Sequence, residues 1–203
     1  MPIETPNRRQ FLLSAAGVSA LGLSGNFLWP EAALSADVRE KGFFSWNVGE
    51  DIEVISIYDG IWKRDHDEGF ITGATIDETK AALRKAGIDD SSVPIEFAFT
   101  IVRTGGKTYL IDAGTGAQLA PTAGLGSTGM KNAGIAPEDI DTVIVSHFHP
   151  DHIFGLMAKE TNAQVFPNAN IVVGQAELDF WTAPGLIESL PEGRRGLAQR
   201  IQA

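Results

Sequence analysis

The feature that most constrains the fold is a cluster of three histidines and one aspartate that follows a run of apolar, β-branched residues. The run is Asp141-Thr142-Val143-Ile144-Val145-Ser146, and His147-Phe148-His149-Pro150-Asp151-His152 comes directly after it. The run predicts a strand that is buried on both faces. His147 and His149 are two residues apart, so their side chains point to the same side of an extended backbone. Pro150 favours a turn into a helix.

The spacing within this cluster suits metal binding. His147 and His149 can hold one ion, while Asp151 and His152 diverge from that pair and can reach a second ion nearby. Imidazole and carboxylate ligands suit Zn, Fe, Mn or Co. The alternative is a group of unrelated polar residues on a surface loop, which a single histidine would favour. The chain contains no cysteine, so thiolate ligands and disulfides are excluded.

The N-terminal segment predicts an export signal rather than part of the fold. Asn7-Arg8-Arg9-Gln10-Phe11-Leu12-Leu13 resembles the twin-arginine motif, an apolar stretch runs from Phe11 to Trp29, and small residues end the segment at Ala36. We therefore expect a signal peptide over 1–36, a mature domain over 37–203, and a periplasmic or secreted protein. A chance arginine pair before a buried helix and an uncleaved membrane anchor are the alternatives.

The charge balance excludes some classes of partner. The chain has 26 Asp plus Glu against 16 Lys plus Arg, a net charge of −10. An acidic surface repels phosphate groups, so nucleic acid and anionic membranes are poor partners. We expect a small-molecule substrate, and contact with a membrane only through the export signal.

The remaining sequence predicts alternating strands and helices. We expect strands at 53–58, 96–102, 108–112, 141–146 and 170–173, and helices at 75–86, 153–160, 176–181 and from 191 onwards. Thr104-Gly105-Gly106-Lys107 predicts a tight hairpin. Residues 62–73 predict a loop, in which His66 is expected to be a solvated polar residue. The mixture predicts an α/β or α+β fold with mixed sheets.

Several of these segments resemble the metallo-β-lactamase superfamily. Residues 147–152 match its H-x-H-x-D-H signature, and Leu110-Ile111-Asp112-Ala113-Gly114 resembles its strand-Asp-Thr-Gly element with Ala in place of Thr. The resemblance runs from about Gly42 to Trp181. Five features look closest to the secreted methyl parathion hydrolases and related lactonases: Tyr58-Asp59-Gly60, the His149-Pro150-Asp151-His152 form of the motif, Gly155-Leu156-Met157, Phe166-Pro167-Asn168-Ala169 and Asp179-Phe180-Trp181.

The resemblance implies an α+β fold, an αββα sandwich with two divalent metal ions, expected to be Zn, at one edge of its sheets. His147 and His149 would hold the first ion, and Asp151 and His152 the second. Asp112 would orient a ligand histidine from outside the metal sphere. The alternative for Asp112 is a strand-end aspartate that caps a turn.

The resemblance also implies a hydrolytic reaction. Two ions that share a water would lower its pKa to about 7. The hydroxide would attack an ester, lactone or organophosphate, and Asp151 could pass the proton to the leaving group. Trp181, and Leu119 on the loop after Asp112, would line the substrate pocket, with core packing as the alternative for Trp181. A β-lactamase, a mononuclear iron sulfur dioxygenase and an inactive remnant are the alternative functions.

The family pattern includes ligands that this sequence does not supply. No histidine follows His152, whereas the pattern has a downstream His, a bridging Asp, a final His and a second β-layer. We therefore expect the N-terminal half of such an enzyme, inactive as it stands. Apolar strand faces such as 97–101 and 143–145 would then be exposed and would favour aggregation, dye binding or a homodimer.

Overall fold

The computed structural model describes residues 38–203, and the predicted export signal over 1–36 lies outside them. Its strands form one six-stranded sheet in chain order: β1 (Phe43–Val48), β2 (Ile52–Arg64), β3 (Val93–Thr104), β4 (Lys107–Ile111), β5 (Thr142–Val145) and β6 (Asn170–Val173). The first four strands pair antiparallel, whereas β4, β5 and β6 pair in parallel. This mixed sheet confirms the α+β prediction.

Helices lie between and after the strands: α1 (Ile76–Lys85), α2 (Gly126–Asn132), α3 (Pro150–Ile153), α4 (Gln175–Thr182), α5 (Leu186–Ser189) and α6 (Glu192–Gln202). The predicted capping box opens α1, since Thr75 and Glu78 exchange side-chain-to-backbone hydrogen bonds. In the part of the chain that the structure describes, no helix has the length and apolar character to cross a membrane.

The β3–β4 hairpin and the crossover after β4 determine the sheet's topology. Gly105 and Gly106 have φ of 57° and 72°, the positive values that a two-residue hairpin turn needs. A parallel partner for β4 requires the chain to return across the sheet, and the segment with α2 makes that return before β5. The structure thus confirms the predicted hairpin and brings the ends of β4 and β5 to one edge.

The core lies between one face of the sheet and the segment around α2. Its buried sheet residues are Ile55, Ile57, Phe99, Ile101, Leu110, Val143 and Val145, and they meet Met130, Ile135, Ile140 and Phe166. On the opposite face Ile111, Ile144 and Val172 are neighbours in register, and between 36% and 49% of each is exposed. Residues 38–203 contain no second sheet that covers this face.

Two sequence predictions near the histidine cluster are wrong. The strand β5 is buried on one face only, because Ile144 points to the exposed face of the sheet. The helix expected at 153–160 is not formed. Helix α3 instead covers Pro150–Ile153, and a single 3₁₀ turn, Phe154–Leu156, follows it. The cause is Gly155, whose N–H donates to Gly114 O instead of continuing the helix.

Two predictions about residues 62–73 also need correction. The strand β2 continues through Asp59-Gly60 and pairs with β3 as far as Arg64, because a bulge between Tyr58 and Gly60 replaces the expected stop. The predicted loop therefore begins only after Arg64. His66 is half-buried rather than solvated, since its Nε2 lies 2.9 Å from the carbonyl oxygen of Asp90.

Candidate metal centre

The predicted ligands lie at the carboxyl ends of β4 and β5, which are neighbouring parallel strands. Asp112 follows β4 directly, the segment 146–149 follows β5, and α3 carries Asp151 and His152. Because parallel strands end at the same edge of a sheet, these residues meet although about forty residues separate them. Such an edge is where open α/β sheets bind their ligands.

The first pair, His147 and His149, brings two ring nitrogens together. His147 Nε2 lies 2.9 Å from His149 Nδ1. Two nitrogens that each bind a tetrahedral Zn²⁺ at about 2.0–2.1 Å are about 3.3 Å apart, so the pair needs only a small adjustment to hold one ion. His147 Nδ1 lies 3.0 Å from Ser146 Oγ, which leaves Nε2 for the metal. Burial, and then the neighbouring rings of His152 and His149, lower the pKa of His147.

The second pair, Asp151 and His152, is held by a third residue, Asp112. His152 Nδ1 lies 2.8 Å from Asp112 Oδ2, and His152 Nε2 lies 3.2 Å from Asp151 Oδ2. These contacts, with Asp112 the stronger, raise the pKa of His152 to about 9. An ion bound at Nε2 would replace the proton that this nitrogen shares with Asp151.

Asp112 is fixed by contacts on both oxygens. Its Oδ1 accepts a hydrogen bond from Ser146 N–H and its Oδ2 accepts one from Ser146 Oγ–H, each at 2.8 Å. Burial raises the pKa of Asp112, but the hydrogen bonds from His152 and Ser146 outweigh it and hold the pKa below its usual value. Its φ of 60° is left-handed, a conformation that the short polar side chain of Asp tolerates.

The two pairs are adjacent, because the ring centroids of His147 and His152 are 4.0 Å apart. Within 38–203, however, no three His, Asp or Glu side chains surround one point in the way that a closed metal site requires. The motif therefore supplies two incomplete, neighbouring ligand pairs. Their imidazole and carboxylate donors suit a pair of divalent transition-metal ions.

Glu177 also contacts this site, although its sequence context did not predict it. This residue of α4 accepts hydrogen bonds on Oε1 from Phe148 N–H and from Trp181 Nε1–H, each at 2.7 Å. The hydrogen bond from Phe148 comes first among the causes that lower the pKa of Glu177. No pattern in the sequence signals this contact, because Phe148 and Glu177 are 29 residues apart.

The two predicted pocket residues occupy different surroundings. Trp181 is half-buried beside residues 146–149, here called the metal loop. Its indole N–H donates to Glu177, and its ring is in edge contact with Phe180. Leu119 packs against a small separate cluster that includes Phe97 and Ala120. Trp181 is thus tied to the loop that carries the histidines, and Leu119 lies on the loop that follows Asp112.

A second missed residue, Asp59, fixes that loop. It lies in the β2 bulge and is only 2% exposed. Its carboxylate accepts hydrogen bonds from Thr115 N–H and Oγ1–H at 2.6 and 2.7 Å and from Gly126 N–H at 2.8 Å. Asp59 therefore anchors both ends of the segment between β4 and α2, close to Asp112.

Solved structures resemble this chain. AidC, a dizinc quorum-quenching lactonase solved in complex with a product, is 28% identical with a TM-score of 0.71, over 79% of this chain and 56% of that one. AbOPH, a hydrolase in the beta lactamase superfamily, is 25% identical with a TM-score of 0.70, over 79% and 55%. A probable metal-dependent hydrolase from Staphylococcus aureus, 23% identical with a TM-score of 0.55 over 68% and 52%, shares the fold.

A family model described as the metallo-beta-lactamase superfamily matches residues 98–189, which contain the whole histidine motif. Over these residues the chain is similar to the metallo-β-lactamase superfamily, as it is to the structures of AidC and AbOPH. The superfamily resemblance of the sequence is thereby confirmed. No curated protein sequence matches the chain. Within this superfamily, the chain spans little more than half the length of AidC and of AbOPH, at 56% and 55%.

Proposed function

We propose that this chain is a metal-dependent hydrolase acting on esters, lactones or organophosphates, and that residues 147–152 supply metal ligands. The observation that carries the proposal is the pair of adjacent ligand sets, His147 with His149 and Asp151 with His152, whose donor atoms approach to 2.9 and 3.2 Å. The dizinc lactonase AidC and the hydrolase AbOPH support it as similar structures of at least 25% identity.

Two divalent ions, which we propose to be Zn²⁺, would supply Lewis acidity and a water whose pKa falls to about 7. The chain's own residues prepare the site for them. Asp112 holds Nδ1 of His152, so that Nε2 faces the metal side of the ring. Ser146 does the same for His147 through Nδ1.

Asp151 is the residue that we propose to move a proton. The hydrogen bond with His152 is the main cause that lowers the pKa of Asp151, so its carboxylate is ionised at neutral pH and can accept a proton. It can then pass that proton to the leaving group of the substrate. Trp181 and Leu119 are proposed to line the apolar part of the substrate site.

The location of the protein and its association are further proposals. The arginine pair Arg8-Arg9 and the apolar stretch after it support export by the twin-arginine route to the periplasm or the medium. The exposed apolar face around Ile144 and Val172 supports self-association of this chain.

The test is a substrate panel measured on Zn²⁺-loaded protein that also carries the downstream His, Asp and His ligands of the family pattern. A homoserine lactone, an aryl ester, a phosphotriester and a β-lactam are each assayed with the wild type, His147→Ala and Asp151→Asn. We expect turnover of at least one of the first three, lost in His147→Ala and reduced at least about a hundredfold in Asp151→Asn. Turnover of the β-lactam alone, or equal rates in all three proteins, would contradict the proposal.

A further inference from the structure

Glu177 connects the metal loop to helix α4 through a single oxygen. Its Oε1 accepts one hydrogen bond from Phe148 N–H and one from Trp181 Nε1–H, both at 2.7 Å. Phe148 lies between the ligands His147 and His149, in a segment outside any helix or strand. A backbone N–H in such a segment has no partner from secondary structure and needs one from elsewhere.

Two carboxylates hold alternate amides of the same short segment. Asp112 accepts from Ser146 N–H at 2.8 Å, and Glu177 accepts from Phe148 N–H. The first contact fixes the residue before His147, and the second fixes the residue between His147 and His149. Phe148 also packs its ring against the core cluster, so its backbone and side chain are both restrained.

The position of Glu177 in α4 is itself restrained. It lies in the first turn of the helix, and Trp181 is one turn further on, which brings the indole N–H back to the carboxylate. Gln202 of α6 donates from Nε2 to the carbonyl oxygen of Trp181 at 2.8 Å. The Glu177 oxygen that accepts the Phe148 N–H is therefore held, through Trp181, by helix α6, which lies outside residues 147–152.

We propose that Glu177 is a positioning residue that sets the His147–His149 spacing for metal binding by fixing the Phe148 amide. The inference rests on the proposed function, because it concerns the metal that the hydrolase would use. It attributes the role of Glu177 to the place of one acceptor oxygen and not to its negative charge. Residues that orient metal ligands from outside the metal sphere typically change metal affinity by about 10–100-fold.

Two conservative substitutions separate position from charge. Glu177→Gln removes the charge but keeps a carbonyl oxygen at the same reach, with two lone pairs for both hydrogen bonds. Glu177→Asp keeps the charge but withdraws the oxygens by one methylene. Asp179→Asn, which alters another carboxylate of the same helix away from Phe148, is the matched control.

The experiment measures Co²⁺ affinity of the full chain by chelator competition, together with the visible absorption spectrum of bound Co²⁺, which reports its ligand geometry. We expect Glu177→Gln to bind within about threefold of wild type with the wild-type spectrum, and Glu177→Asp to bind about tenfold or more weakly with an altered spectrum. The control should match wild type. Far-ultraviolet circular dichroism of each metal-free variant verifies that it is folded.

Any other order of affinities overturns the inference. If Glu177→Asp binds as wild type does and Glu177→Gln is weakened, charge and not position is what matters. Equal affinity in all variants would mean that the Phe148 contact has no effect on the metal. If protein that also carries the downstream His, Asp and His ligands of the family pattern binds metal but hydrolyses no substrate, the proposed function is refuted and the result for Glu177 stays intact.

Discussion

Replacement of Asp112 by Asn should weaken the metal-free protein in a pH-dependent way. Contacts with Asp112 and Asp151 raise the pKa of His152 from 6.5 to about 9, and a tenfold change in proton affinity corresponds to about 1.4 kcal/mol. The two carboxylates together therefore stabilise the folded protein by at most about 3 kcal/mol, with Asp112 the larger contributor. Asn keeps the shape and tolerates the left-handed backbone at this position, so the lost charge is the main change.

The sign of the effect follows from the raised pKa. Folded protein holds the His152 proton up to about pH 9, whereas unfolded protein loses it near pH 6.5, so the stabilisation is complete below pH 6.5 and disappears as the pH rises through 9. The free energy of unfolding of the wild type should fall across this window. Asp112→Asn should lose about 2 kcal/mol at pH 6 and much less at pH 9.5, where His152 is neutral in both proteins.

The assay is urea unfolding of the chelator-treated protein at pH 6, 7.5 and 9.5, with Asp179→Asn as the control for removal of an exposed carboxylate. The control should show the wild-type dependence on pH. Wild-type and Asp112→Asn curves that run parallel across the three pH values would refute the argument, because the Asp112–His152 contact would then contribute no stability that depends on protonation.

Three further predictions concern separate parts of the chain. Gly155→Ala would place a Cβ 1.8 Å from the backbone oxygen of Ala113, and it should lower the free energy of unfolding in urea by about 3 kcal/mol or more. Gly193→Ala, whose Cβ would meet no atom within 4 Å, should not destabilise the protein, and equal stability of the two variants would contradict the close approach at Gly155. Phe148→Leu should cost only about 1 kcal/mol and leave Zn²⁺ affinity unchanged; loss of the metal would refute this. Lys at both Arg8 and Arg9 should retain the protein in the cytoplasm on cell fractionation, and an unchanged periplasmic yield would refute twin-arginine export.

The parts of the fold that depend on neighbouring residues could be predicted from the sequence. The capping box at Thr75 and the glycine pair in the β3–β4 hairpin are local signals, and both features are present. The spacing of His147 and His149 likewise fixed their relative placement, because an extended backbone brings alternate side chains together.

The failures depend on contacts between distant residues. The helix that contains Asp151 ends early because the Gly155 N–H donates to Gly114 O in the loop after β4. The strand β5 is buried on one face because Val143 and Val145 join the core, whereas Ile144 is exposed. Glu177 reaches the metal loop because strand β6, which precedes its helix, pairs with β5, which precedes the loop. Such features follow from topology, which the pattern of a single segment does not encode.

The most direct test of the account is calorimetric titration of the metal-free protein with Zn²⁺ at pH 7, in two buffers of different ionisation enthalpy, on wild type and on His147→Ala with His152→Gln. We predict binding to the wild type with release of about one proton per site that includes His152, since its pKa is about 9, and affinity that increases with pH up to 9. The double variant should lose this binding. Zn²⁺ affinity and proton release that are unchanged in the double variant, or a wild type that binds no Zn²⁺, would contradict the assignment of residues 147–152 as the metal centre.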